Sequence, residues 1–174
     1  MIRVTGEAPH IVSLTLDRPE VYNALDFETL AELSRVLDDL AEKDVRALIV
    51  TGTGKSFSSG ADLKEIATFS PEKARDFSLA GHQAFDRLAN FPCPVIAAVN
   101  GYALGGGCEL ACACDLVYAA DTAKFGQPEA RVGMITGWGG TFRLAERIGR
   151  HRAKQLFFTC EIITAEKARE IGLV

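Results

Sequence analysis

Apolar positions along the chain change spacing repeatedly, and each change marks an element. Ile11-Val12-Ser13-Leu14-Thr15-Leu16 is a β-branched run stopped by Pro19, and it predicts the first strand. Phe27, Leu30, Leu33, Leu37 and Leu40 then recur at helical spacing, predicting a helix from about Phe27 to Glu42. Asp26 fits its N-cap and Glu28 suits the first turn. A buried strand is predicted over Arg46–Thr51, followed by a Gly/Ser loop from Gly52 to Gly60. Ser70 caps the next helix, with Pro71 at its first position and Phe77, Phe85, Leu88 and Phe91 along it.

The segment Pro94-Val95-Ile96-Ala97-Ala98-Val99 is apolar on both faces, as expected of a parallel strand covered by helices. Gly105-Gly106-Gly107 opens a short apolar segment, Cys108 to Cys114, and a further strand is expected over Asp115–Ala120. Helical patterns return at about Thr141–Arg147, Arg152–Phe158 and Ala165–Ile171. Strands alternating with helices predict an α/β fold with a substantially parallel sheet. The last residues, Ile171-Gly172-Leu173-Val174, lie in an apolar stretch, whereas domains more often finish on a polar tail. The expectation is one domain over residues 1–174 that lacks a C-terminal portion.

Composition narrows the class. With 174 residues, 48% hydrophobic and 24% charged, the chain can bury a sizeable core, which excludes disordered, collagen-like and disulfide-miniprotein readings. A formal charge of −4 gives no electrostatic footprint for nucleic acid or an anionic membrane. No apolar run approaches the ~18 residues of a membrane span, and the N-terminal decapeptide has no apolar signal core. A cytoplasmic protein is expected, with no nucleic-acid or membrane partner. The five cysteines, Cys93, Cys108, Cys112, Cys114 and Cys160, form no C-x-x-C pair and have no nearby His. They read as reduced, buried thiols, and no metal site is expected.

The glycine loops fail the nucleotide-binding tests. Gly54-Lys55-Ser56 resembles the end of a phosphate loop, but the required earlier Gly is Ile49. The third Gly of a dinucleotide fingerprint is Leu110 in one register and Phe142 in the other. There is no Gly-x-Ser-x-Gly elbow. Two readings of Gly105–Gly107 remain: the run turns free backbone N–H groups toward an oxyanion, or it only permits close helix packing.

Four segments shift that balance. They are Phe57-Ser58-Ser59-Gly60-Ala61-Asp62-Leu63-Lys64; Pro94 through Leu110 with its Asn100-Gly101-Tyr102-Ala103-Leu104-Gly105-Gly106-Gly107-Cys108-Glu109 centre; Phe125-Gly126-Gln127-Pro128-Glu129; and Gly137-Trp138-Gly139-Gly140-Thr141-Phe142-Arg143-Leu144. In this order, with Leu16-Asp17-Arg18-Pro19 and Asn23-Ala24-Leu25 before them, they resemble the crotonase superfamily, the enoyl-CoA hydratase/isomerase family. The resemblance runs over nearly the whole chain. It implies an α/β, crotonase-like spiral core of repeated ββα units whose C-terminal helical region is absent.

By that resemblance, the backbone N–H groups of Ala61 and Gly106 form an oxyanion hole for an acyl-CoA thioester. The loop Ala61-Asp62-Leu63-Lys64 borders the thioester and the CoA arm, with Lys64 either near the CoA phosphates or simply solvated. Glu109 and Glu129 stand at the two catalytic positions of the hydratases, which imply a base for water and an acid for Cα. Two close carboxylates in an apolar pocket cannot both ionise easily, so one raised pKa is expected. The chain departs from the family at Glu20, where a basic residue is common, and at Trp138, where a small one is. Trp138 is expected either to shorten the acyl pocket or to fill the core.

The implied activity is reversible hydration of a trans-2-enoyl-CoA in fatty acid metabolism. No cofactor is implied beyond the coenzyme A of the substrate, and the implied assembly is a homotrimer or dimer of trimers if the C-terminal helices are present. The alternatives are an enoyl-CoA isomerase, which commonly needs only one carboxylate here, or another acyl-CoA lyase of the family, and a non-catalytic acyl-CoA-binding or scaffold subunit. One fold hosts many chemistries, so the family alone does not choose among them.

Overall fold

The computed structural model describes all residues, Met1–Val174. Its regular elements run β1 (Ile2–Ala8), β2 (Ile11–Leu16), α1 (Phe27–Ala41), β3 (Ala47–Gly52), β4 (Ser56–Ser58), α2 (Leu63–Ile66), α3 (Pro71–Ala89), β5 (Val95–Val99), β6 (Tyr102–Leu104), α4 (Gly106–Ala113), β7 (Leu116–Ala119), β8 (Lys124–Gly126), α5 (Gly140–Ile148), α6 (Arg150–Thr159), β9 (Ile162–Thr164) and α7 (Ala165–Glu170). The predicted helix starts hold in detail. Asp26 Oδ1 accepts from Thr29 N at 2.8 Å, and Ser70 Oγ accepts from Lys73 N at 3.2 Å ahead of Pro71.

The strands build two sheets where one was expected. The larger has the order β1-β2-β3-β5-β7 and the smaller β4-β6-β8-β9. Only the end pairs, β1 with β2 and β8 with β9, are antiparallel. The order records a spiral: β3 then β4, β5 then β6, and β7 then β8 each leave one strand in the large sheet and one in the small. A helix follows each pair, giving the repeated ββα unit. Ladders β3-β5-β7 and β4-β6-β8 are parallel because every turn of the spiral runs in the same direction.

Sequence patterning missed the small sheet for a physical reason. β4, β6, β8 and β9 are each three residues long, too short to show an alternation. The expected Gly52–Gly60 loop therefore contains β4. Ile11–Leu16 is the second strand: the edge strand β1 precedes it, exposed along almost its whole length, with only Ile2 at its start packed against the core. The core is one cluster of 36 buried residues spanning both sheets and the helices. Phe57, Phe85 and Phe125 are fully buried in it, each contributing about 2–3 kcal/mol of hydrophobic stabilisation. No helix is long and apolar enough to cross a membrane.

Candidate active site

The small sheet delivers two loops to one place. β4 ends at Ser58 and runs into Gly60-Ala61; β6 ends at Leu104 and runs into Gly105-Gly106. Gly105 has φ +50° and ψ −122°, a conformation closed to side chains, and it turns the chain from β6 into α4 without a side-chain cap. The loops meet backbone to backbone: a Cβ at Gly60 would lie 2.6 Å from Leu104 O and 2.9 Å from Gly106 N. A Cβ on Gly106 would lie 3.4 Å from Ala61 N.

Both amides are bare. Gly106 N is the first N–H of α4, which has no partner inside the helix. Ala61 is held by its neighbours: Leu25 N donates to Gly60 O at 2.8 Å and Asp62 N donates to Leu25 O at 3.0 Å. Neither Ala61 N nor Gly106 N donates to an acceptor within the protein.

Glu109 lies on α4, a helix whose eight residues are all buried. Its Oε1 accepts from Trp138 N at 2.6 Å and Gly140 N at 2.8 Å. Burial pushes its pKa from 4.5 up to about 7, aided by the charge of Glu129 and opposed by the two amides and by Arg143. Glu129 opens the 3₁₀ turn Glu129–Val132 after the Gln127-Pro128 corner. A Cβ at Gly105 would be 3.4 Å from Glu129 Oε1, so this carboxylate sits over the entry to α4. Burial raises its pKa too, against hydrogen bonds from its own backbone amide and the Thr136 hydroxyl. In the amide orientation that satisfies both groups, buried Gln127 donates its Nε2 to Glu129 Oε1 at 2.7 Å and Oε2 at 3.2 Å.

One cavity of about 920 Å³ joins these groups, with Ala61, Leu63, Gly106, Glu109, Glu129 and Trp138 in its wall. Trp138 serves core and cavity at once: it is 4% exposed, packs edge-on against Phe77 and Phe85 with ring centroids 5.2 and 5.5 Å away, and presents its ring edge to Gly106. Asp62 and Lys64, expected to bind substrate, stand outside the wall. Asp62 instead caps α2, its Oδ1 accepting from Lys64 N at 3.0 Å and its Oδ2 lying 3.9 Å from Arg18 Nη2. Lys64 is exposed on the first turn of α2. Cys108, Cys112, Cys114 and Cys160 are buried free thiols and Cys93 is half-buried.

Sequence reasoning passed over Gln127, Thr136 and the loop amides of Trp138 and Gly140. Gln127 had a signal, its place two residues before Glu129 in a turn. The loop amides had none, because a backbone donor leaves no mark on residue identity.

Comparison with known proteins agrees with this geometry. Residues 6–174 match the family described as enoyl-CoA hydratase/isomerase. The short-chain-enoyl-CoA hydratase of Clostridium acetobutylicum is 45% identical over 94% of this chain and 64% of its own length. The crotonyl-CoA hydratase of Syntrophomonas wolfei is 48% identical over 92% of this chain and 63% of its own. The chain thus spans less than two thirds of the length of these curated relatives. The crystal structure of an enoyl-CoA hydratase from Bacillus anthracis superposes with a TM-score of 0.97 at 42% identity, covering 99% of this chain and 68% of that one. Motifs, spiral fold and matches converge: the chain belongs to the enoyl-CoA hydratase/isomerase family.

Proposed function

We propose that the protein catalyses reversible addition of water to a trans-2-enoyl-CoA, giving a 3-hydroxyacyl-CoA. The observation that carries this reading is the pair Glu109 and Glu129, two buried carboxyls with raised pKa values, in one cavity with the unpartnered amides of Ala61 and Gly106. The thioester carbonyl oxygen accepts from the two amides. As water adds at Cβ, electron density moves onto that oxygen, where the two donors and the positive end of α4 stabilise it. One oxyanion donor is typically worth about 2.7–4 kcal/mol of barrier. Glu109 takes a proton from the water and Glu129 delivers one to Cα, so H and OH add across the double bond with no change in redox state. That chemistry calls for no metal or redox cofactor.

The names of the two curated relatives, together with the indole of Trp138 in the cavity wall, support a short acyl chain. A cytoplasmic role in fatty acid metabolism belongs to the same reading, as does a homotrimer or dimer of trimers where the C-terminal helices of the longer family members are present. An isomerase needs one carboxylate at this place, and two are present.

The test is the loss of conjugated enoyl-thioester absorbance on adding crotonyl-CoA to the protein and to its Glu109→Gln and Glu129→Gln variants. Turnover is expected to fall by about 10²–10⁴-fold in each. Full activity in either variant overturns the two-carboxylate mechanism. Binding of acyl-CoA without hydration assigns the site to another reaction of the family.

A further inference from the structure

Two charged side chains in the whole chain are buried, Glu109 at 2% exposure and Arg143 at 7%. Both are bonded to the same residue. Glu109 Oε1 takes the N–H of Trp138, and Arg143 Nη1 donates to the C=O of Trp138 at 2.9 Å. The other arm of the guanidinium, Nη2, reaches Asp86 Oδ1 on α3 at 2.5 Å. Between the two glycine-linked amides that hold Glu109 stands Gly139, with φ +97°. A Cβ there would lie 2.3 Å from Arg143 Nη1, so the guanidinium passes beneath the loop where any larger residue would block it.

A buried cation is costly unless its donors are paired. The arrangement therefore has a reason beyond charge balance at Asp86, which is itself largely exposed. We propose that Arg143, anchored by Asp86, is a positioning residue: it fixes the Trp138–Gly140 loop so that two of its amides grip one oxygen of Glu109 and leave the other free for the reaction. The catalytic meaning of the proposal rests on the hydratase reading above; the geometry does not.

The groups that face Glu109 are few. Glu129 comes from the 3₁₀ turn, whose Arg131 also lines the cavity but donates to Cys160 O at 2.7 Å, and Arg143 comes from α5. α3 brings Asp86, which touches Arg143, and His82, which lines the same cavity. Cys108 is the adjacent thiol on α4, and β4 contributes no titratable side chain. Of these, only Arg143 favours the charged form of Glu109. Removing the guanidinium takes away an opposite charge and loosens two donors, and both changes raise the pH at which Glu109 gives up its proton.

The test is a carboxyl-carbon NMR titration of ¹³C-glutamate-labelled protein from pH 5 to 9, comparing wild type, Arg143→Gln and Arg143→Lys, with Glu109→Gln and Glu129→Gln to assign the two signals. In Arg143→Gln the Glu109 midpoint is expected to rise by ~0.5 pH unit or more while that of Glu129 stays in place, and Arg143→Lys is expected to restore part of the shift. An unmoved Glu109 midpoint beside a lowered Tm overturns the proposal and makes Arg143 a structural tie only; equal movement of both glutamates, a general loosening, also overturns it. If Arg143→Gln does not fold, Arg143→Lys decides by the same criterion, since one ammonium cannot bridge Asp86 and Trp138 together. The titration is readable whether or not the wild type hydrates enoyl-CoA. Where it does, the acid limb of kcat/KM should move upward with the Glu109 midpoint in Arg143→Gln.

Discussion

A Cβ placed on Gly81 would lie 2.2 Å from Nε1 of Trp138, so α3 leaves a gap that the indole fills. Alanine is normally the better helix residue by about 1 kcal/mol. Here the methyl group meets a rigid ring packed between Phe77 and Phe85. Gly81→Ala should therefore destabilise the protein by about 1–3 kcal/mol, and Trp138→Leu in the same chain should recover part of the loss. Urea unfolding of the two single variants and the double variant gives the coupling; strict additivity would show that the two residues do not compete for space.

Gly106→Ala tests the oxyanion loop. The new Cβ would stand 2.5 Å from the Trp138 ring and 3.4 Å from Ala61 N. The loop or the indole must move, and alignment of the two amides is lost. A fall in kcat of roughly 10²–10³-fold is expected, with the fold retained. Trp138 is the sole tryptophan, so a shifted emission maximum in the variant reports the displacement directly. Unchanged kcat would remove Gly106 from the site.

Glu109→Gln should change the pH dependence of stability. Below pH 4.5 folded and unfolded chains both hold the proton. Between 4.5 and about 7 the unfolded chain releases it while the folded chain keeps it, so wild-type stability falls as pH rises through this window and levels off above it. At ~1.4 kcal/mol per pH unit, the rise from 4.5 to about 7 corresponds to roughly 3 kcal/mol. Glutamine keeps an oxygen for the Trp138 and Gly140 amides but has no proton to lose. Urea unfolding at pH 5 and pH 8.5 should show the variant gaining on the wild type by up to about 3 kcal/mol. A gap independent of pH would mean that Glu109 is not perturbed.

Asn23 is buried, has φ +55°, and ties three segments together. Its Nδ2 donates to Thr53 O at 2.9 Å and Ser56 O at 2.8 Å, while its Oδ1 accepts from Arg18 N at 2.9 Å. Ser58 Oγ donates to the Asn23 carbonyl at 2.8 Å, which fixes the end of β4 just before the Ala61 loop. Asn23→Ala strands these partners in the interior and should cost about 3 kcal/mol. Thermal melting checks the loss, and a change under 1 kcal/mol would show that water replaces the side chain.

The legible parts of this protein were those written as side-chain patterns. Helix α1 was readable because Leu30, Leu33, Leu37 and Leu40 form a buried stripe behind an Asp26 cap. Strands β2, β3 and β5 were readable as apolar runs between turn residues. The motif residues were legible by resemblance, and the cavity wall contains Ala61, Leu63, Gly106, Glu109, Glu129 and Trp138. Asp62 belonged to the same motif, yet its carboxylate caps a helix, because an Asp one residue ahead of an N-terminus finds donors there before it finds a ligand.

Sequence by itself thus determined the α/β class, the strands β2, β3, β5 and β7 of the larger sheet and the capped starts of α1 and α3, since local propensity and hydrophobic spacing act over a few residues at a time, while the chemical groups were legible through the family's motifs. Only the tertiary structure decided how the spiral stacks three-residue strands into a second sheet, which backbone amides are left bare, and that the buried pair Glu109 and Arg143 share Trp138 across 29 and 5 residues of chain. Those features come from close backbone approach and burial, which depend on elements far apart in the sequence arriving at one place.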